Sequence, residues 1–226
     1  MSGDVEMRLA AQQERAAALA DRVQRLLAPF RGDERALDSG CGAGALALAL
    51  APVVGECVGV DLDGELVAAG RERMPGNVTL QEGDASDLSF AVGAFDIAGC
   101  LRVLHHARRP ERIVSELARV TRPGGRILVV DQLGDVDPLR GREIDRFERA
   151  RDPSHTRLLP DGDIRSLLEA NDLTVSRNEI TRERRELGWY LDLVGIEGEA
   201  RAEAERLAPG PEFEVEIGWY VALKRR

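Results

Sequence analysis

Lysine is all but missing from this chain: Lys224 stands alone, and arginine supplies the rest of 31 basic residues, which 40 acidic ones outnumber. A formal net charge of −9 leaves no basic surplus to draw in a phosphate backbone, so a nucleic-acid partner is not expected. Cysteine is scarce too. Cys41, Cys57 and Cys100 are odd in number, sit in apolar or glycine-rich surroundings and lack metal-ligand spacing, which points to reduced thiols and no metal site. No apolar run approaches the roughly 18 residues that span a bilayer, and the first 27 residues are too charged for a signal peptide; a cytoplasmic protein with no membrane partner is expected. Aromatic residues make up only 4% of the chain, so the pairs Trp189-Tyr190 and Trp219-Tyr220 are conspicuous.

What is present is alternation. At 226 residues the chain suits one domain, large enough to bury a core without staples. Apolar residues at helical spacing, among them Leu9, Leu19, Val23 and Leu27, predict an amphipathic helix over about 4–28, ended by Pro29. From Arg35 to Asp131 short apolar runs alternate with helical segments, the signature of a parallel sheet covered on both faces. Beyond it the spacing predicts helices near 138–150 and 161–171, the latter capped by Asp161 or Asp163. A sixth strand from Leu173, a glycine-interrupted helix over 189–208 and a last strand from Glu212 complete the chain. The expected fold class is α/β: a Rossmann-like, seven-stranded, mostly parallel sheet with helices on both faces and an antiparallel last strand. Within a single domain, residues 1–30 are expected as a helix or lid, 35–131 as the cofactor-binding core, 132–160 as a lid or substrate connection and 161–226 as the completion of the sheet.

The run Gly40-Cys41-Gly42-Ala43-Gly44 follows a predicted strand and opens a helix, so backbone there turns sharply or admits a ligand closely. Read as Gly40-x-Gly42-x-x-Ala45, with Asp61 ending the second strand, it satisfies a dinucleotide-binding pattern, which does not by itself choose a cofactor. Asp38, two residues before the first glycine, weighs against a pyrophosphate and would attract an amino-acid ammonium. Asp84, just past the third strand, is placed to accept an adenine amine.

The segments LDSGCGAG (37–44), VGVDLD (58–63), EGDASDLSF (82–90), FDIAGC with LHH (95–106) and LARVTRPGGRILVVD (117–131) stand in the order and spacing of a known family. On these residues the chain resembles the class I S-adenosylmethionine-dependent methyltransferases, in the type 11 branch similar to the ubiquinone and menaquinone C-methyltransferases. The resemblance implies S-adenosyl-L-methionine as cofactor and a small-molecule methyl acceptor, with the chain a monomer or homodimer. Gly40, Gly42 and Gly44 then bring backbone close to the cofactor, with Cys41 and Gly83 in the same two loops and Asp38 near its ammonium. Asp61 takes the ribose hydroxyls, Leu62 packs on the adenine, and Asp84 with the Ala85 amide reads the adenine edge. Backbone around Cys100 and Leu101 closes the methionine end. Ser39 stands where the family commonly has an aliphatic residue.

All three histidines are candidate bases: His105 and His106 just past the fourth strand, and His155 on the lid connection of 132–160. Structural roles at a loop entry compete with catalysis for each. Trp189-Tyr190 either walls a substrate pocket or packs a helix, Trp219-Tyr220 reads as strand packing, and the charges at 182–186 read as a solvated face. The expected reaction is in-line displacement at the sulfonium methyl. A nicotinamide-dependent oxidoreductase and a non-catalytic S-adenosylmethionine-binding module are the alternatives.

Overall fold

The computed structural model describes residues 16–225. Helix α1 occupies 16–27; the earlier part of the helix expected from residue 4, and the lid expected there, lie outside the described residues. The sheet core then runs β1 (Arg35–Ser39), α2 (Ala45–Leu50), β2 (Glu56–Asp61), α3 (Gly64–Arg71), β3 (Val78–Glu82), β4 (Phe95–Leu101), α4 (Pro110–Val120) and β5 (Thr121–Gln132). After it come α5 (Pro138–Arg151), α6 (Asp161–Glu169), β6 (Leu173–Glu186), α7 (Leu187–Asp192), α8 (Gly198–Leu207) and β7 (Glu212–Lys224).

The strands lie in the order β3-β2-β1-β4-β5-β7-β6. Strands β1 to β5 are mutually parallel, and β7 runs antiparallel to both β5 and β6, the one reversed strand in the sheet. The period of two in each strand explains the layering. Leu37, Ala98, Ile127, Val129 and Tyr220 face a layer with Val114 and Leu117 of α4 and Leu168 of α6. Their neighbours Ala36, Ile97, Leu128, Val130 and Trp219 face α1, α2 and α3 through Leu27, Leu46 and Val67. Both faces are dry, so the strands read as continuous apolar runs. A satellite cluster of Phe147, Tyr190, Leu191 and Ala204 joins α5, α7 and α8.

Polar chemistry sets the helix boundaries, and only some of them depart from the sequence reading. Asp63 caps α3, its Oδ1 accepting the Glu65 and Leu66 amides at 3.0 and 3.1 Å. Neither Asp161 nor Asp163 caps α6: Pro160 holds that position, and Asp161 instead accepts the Tyr220 hydroxyl at 2.7 Å and Arg165 Nε at 2.8 Å. The helix expected over 189–208 is two, because Gly195 and Gly198 both take positive φ. It also begins earlier, at Leu187, where Glu186 caps the Gly188 and Trp189 amides. Among the described residues no helix is long and apolar enough to cross a membrane.

The edge of the sheet opposite the strands' C-terminal ends is tied by Asp96. Its carboxylate accepts the Arg35 amide at 2.9 Å, Arg122 Nε at 2.7 Å and Arg31 Nη2 at 3.0 Å. Burial pushes this group up, but the amide and the two guanidiniums outweigh it and hold the pKa at about 2. An aspartate depressed in the folded state stabilises above about pH 4 and loses that contribution as pH falls through 2. Asp96→Asn should therefore lower the melting temperature at pH 7 by ~2–4 °C, about 1 kcal/mol for a chain of this size, with the gap closing between pH 4 and pH 2 in melts followed by circular dichroism.

Candidate active site

At the C-terminal ends of β1 and β2 the three glycines of the predicted turn all adopt left-handed backbone: φ is +73° at Gly40, +52° at Gly42 and +87° at Gly44. Only glycine takes this region routinely, so three such residues in five fix a tight turn that a side chain would strain. Their surroundings differ. A Cβ on Gly40 would lie 2.5 Å from a Val103 methyl, and one on Gly44 2.9 Å from Met74 Cε. One on Gly42 would meet nothing closer than Leu66 Cδ1 at 3.8 Å, so that position faces open space.

Three carboxylates frame the turn. Asp61 Oδ2 accepts the Gly42 amide at 2.7 Å and Oδ1 the Asp63 amide at 2.9 Å, which leaves lone pairs on both oxygens. The Gly83 amide donates to the Asp61 carbonyl at 2.9 Å and so brings the β3 exit alongside. There Asp84 is exposed, with Oδ1 on the Ser86 amide at 2.7 Å, and Ala85 is buried. Leu62, beside Asp61, is 69% exposed, unusual for leucine in so well packed a chain.

Asp38 is different in kind. It is 1% exposed; Oδ2 accepts the Ala47 amide at 2.9 Å, and Oδ1 has no hydrogen-bond partner. Burial pushes its pKa up to about 7, and the nearby Asp61 charge adds to the rise. Ser39 Oγ, also buried, lacks a partner as well. Cys41 and Cys100 are buried thiols pushed well above the ordinary thiol value by desolvation, so neither is a nucleophile. The Cys100 side chain lies in the core, while Leu101 reaches a neighbouring cavity.

That cavity, about 700 Å³, abuts the turn through Ala45 and is walled by Leu19 and Arg22 of α1, Leu101 at the end of β4 and Arg102 just past it, Trp189 of α7 and Trp219 of β7. His105 and His106 line it. Asp131 was not singled out from sequence, though it carries the same signal as Asp38 and Asp61, an acid near a strand's C-terminal end. Its Oδ1 makes a short bond with His105 Nδ1 and accepts the Gln132 amide at 2.8 Å. Burial alone would raise Asp131, but the His105 ring and the amides of Gln132 and His105 outweigh it and hold it below the usual carboxylate range. His105 Nδ1 is thereby a fixed donor, which leaves Nε2 as the nitrogen available for proton transfer. His106 Nδ1 lies 2.8 Å from Ser154 Oγ, whose single proton goes to Asp152 Oδ1 at 2.6 Å. Burial, then the neighbouring His105 ring, drops His106 to about 4, so it is neutral at pH 7.

His155 does not belong to the cavity lining. It is 3% exposed, and its Nε2 bonds Asp145 Oδ1 at 2.9 Å, which makes it a strut for the connection after α5. Of the aromatic pairs, Trp189, Tyr190 and Trp219 line the cavity, Tyr190 also packing with Phe147 and bonding Glu148 at 3.0 Å, while Tyr220 is wholly buried. The charges at 182–186 are not one solvated face. Strand alternation puts Arg182 and Arg184 outward on Glu216 and Glu212, while Glu183 and Arg185 turn in, Arg185 being 2% exposed. A larger cavity of about 730 Å³ between α5, α8 and β7 contains none of the residues expected from sequence.

Comparison with known proteins agrees with this geometry. Residues 37–129 match the family model described as a methyltransferase domain. An uncharacterized methyltransferase, YcgJ of Bacillus subtilis, is 38% identical over 150 residues, 65% of this chain and 59% of the relative. A demethylmenaquinone methyltransferase of Clavibacter sepedonicus is 34% identical over 137 residues, 60% of this chain and 56% of the relative. The chain thus spans somewhat under three fifths of the curated relatives it matches. The crystal structure of the Bacillus subtilis YcgJ protein superposes with a TM-score of 0.84 at 26% identity, covering 95% of this chain and 99% of the other.

The raised pKa of Asp38 carries a stability consequence. A carboxyl raised from the unfolded value near 4 to about 7 favours folding fully below pH 4, and that contribution is lost as pH rises through 7. Asp38→Asn should match the parent near pH 4 and melt higher than it at pH 8, by about 1 kcal/mol or more, a reversal that a pair of thermal melts at the two pH values detects.

Proposed function

We propose that this chain, whose residues 37–129 match the family model of a methyltransferase domain, moves a methyl group from S-adenosylmethionine to a small organic acceptor. The observation that carries this reading is the buried, unpartnered Asp38 Oδ1 behind a turn of three left-handed glycines. A carboxylate in that position suits an ammonium and opposes a pyrophosphate, which also weighs against the nicotinamide alternative. The residues present fit the cofactor: Asp38 for the ammonium, open space at Gly42, Asp61 for the ribose hydroxyls, Leu62 for the adenine face, and Asp84 with the Ala85 amide for its edge.

When bound, S-adenosylmethionine supplies an electrophilic methyl group on a sulfonium. The turn's part is alignment: Gly40 packs against Val103, which holds the β4 exit at a fixed distance from the β1 exit. Held geometry of this kind contributes several kcal/mol to group transfer, about 7–11 in favourable systems. His105, oriented by Asp131, is the base that accepts a proton from the acceptor at Nε2. His106, neutral and bonded through Ser154 to Asp152, presents Nε2 as a second acceptor. Leu101, Trp189 and Trp219 exclude water from the same space.

Thermal melts with added ligand test the reading. At a hundred times its dissociation constant S-adenosylhomocysteine should stabilise by about 2.7 kcal/mol, a rise of roughly 5–10 °C for this length, while NAD produces none. Gly42→Ala should keep the fold but bind S-adenosylhomocysteine at least tenfold more weakly, because its methyl enters the open space. A rise with NAD and none with S-adenosylhomocysteine would refute the proposal.

A further inference from the structure

The cavity beside the glycine turn is charged against the trend of the chain. The whole carries −9, yet Arg22, Arg102, Arg151, Arg182, Arg184 and Arg185 border the cavity, with Glu183 and Asp152 as the acids among its lining residues. Arg182 and Arg184 lie on the outward side of β6, paired with Glu216 and Glu212. Some of that positive charge is spent. Arg151 Nε donates to Glu148 at 2.9 Å and Arg185 Nη2 to Glu183 at 2.7 Å, and Asp152 is committed to Ser154. Two guanidiniums keep donors in hand. Arg102 gives Nη2 to both Glu183 oxygens at 2.8 Å, and its Nε and Nη1 make no hydrogen bond among the described residues. The Arg22 guanidinium makes none either; its Cζ lies 5.0 Å from the centre of the Trp219 ring.

Backbone geometry singles out Arg102 independently. Its φ is +59°, in the left-handed region that a residue with a Cβ rarely occupies. Strain of that sort persists where surrounding structure enforces it and clusters at ligand-binding positions. Here the turn does two things at once: it lays the Val103 methyls against Gly40 and delivers the Arg102 side chain to Glu183 on β6, at the cavity wall. A glycine would make this turn without strain, so the residue's presence calls for a use of the side chain.

We propose that Arg102 and Arg22 bind an oxyanion on the methyl acceptor, which is therefore an organic acid with an apolar or aromatic body lying against Trp189, Trp219 and Leu101. The planar guanidinium fork suits a carboxylate or a phosphate, and Glu183 fixes the fork from one side while leaving the other open. At about 700 Å³ the cavity is of the size that encloses a small aromatic or terpenoid acid. The word acceptor rests on the methyl-transfer reading; the anion site does not.

The chain has two tryptophans, and both line this cavity, so intrinsic fluorescence reports on its contents. Benzoate, phenylphosphonate and the neutral benzamide are titrated into the full chain with and without S-adenosylhomocysteine. At least one of the two anions should bind tenfold or more tightly than benzamide, and which of them does so separates a carboxylate from a phosphate site. Arg102→Gly, which relieves the backbone strain and so preserves the fold, and Arg22→Gln should each remove most of that preference. Both variants should keep S-adenosylhomocysteine affinity within threefold. Equal binding of benzamide, no response to either anion, or a preference that survives both substitutions overturns the proposal. Failure to bind S-adenosylhomocysteine, with anion preference intact in its absence, would instead tell against the methyl-transfer reading alone.

Discussion

Asp38 sits where water cannot reach it, with one oxygen on the Ala47 amide and the other making no hydrogen bond among the described residues. An unsatisfied buried carboxylate is expensive, and here burial makes it half protonated near neutrality. The rest of the site follows from tolerating that cost. The glycine turn must fold over the carboxylate without adding bulk, so Gly40, Gly42 and Gly44 go left-handed. The Gly42 amide is then free to orient Asp61, and Asp61 in turn receives the β3 exit through its carbonyl. In the proposed reading, the uncompensated acid behind this turn is the place for a positive charge.

The same constraint reaches the neighbouring cavity. Val103 fills the space above Gly40, and the strained Arg102 turn that puts it there also sends a guanidinium across to Glu183. One residue farther on, the chain enters the short 3-10 turn Leu104–His106, which sets His105 on Asp131 at the end of β5. The glycine turn and the cavity are thus two sides of a single β4 exit. The buried group of Gln132, Glu148, Arg151 and Tyr190 closes the far wall and separates this cavity from the larger one behind it.

The sheet core was legible in the sequence because its determinants are local. Alternating apolar runs, the glycine turn and acids at strand ends are all visible within a few residues, and the seven-stranded, mostly parallel sheet with its antiparallel last strand emerged as expected. Contacts that join distant segments were not. Asp161 was read as a cap because an acid before a helix usually is one, but Tyr220, 59 positions away, claims it. The charges at 182–186 looked solvated because sequence does not reveal that a long strand at the sheet edge turns alternate residues toward a cavity. His155 is a strut since Asp145 folds back across it, and Arg102 stood out only when its backbone conformation was known. Asp131 could have been found by applying to the fifth strand the rule that found Asp38 and Asp61.

The central claim is that the Asp38 carboxyl, raised by burial, gives up its proton to accommodate an ammonium. Calorimetric titration of S-adenosylhomocysteine at pH 7, repeated in buffers of different ionisation enthalpy, counts that proton directly. Release of roughly half a proton per ligand bound, absent in Asp38→Asn, is the predicted result, given a carboxyl poised at about pH 7. Binding with no proton released, or with the same release from the variant, would contradict the account.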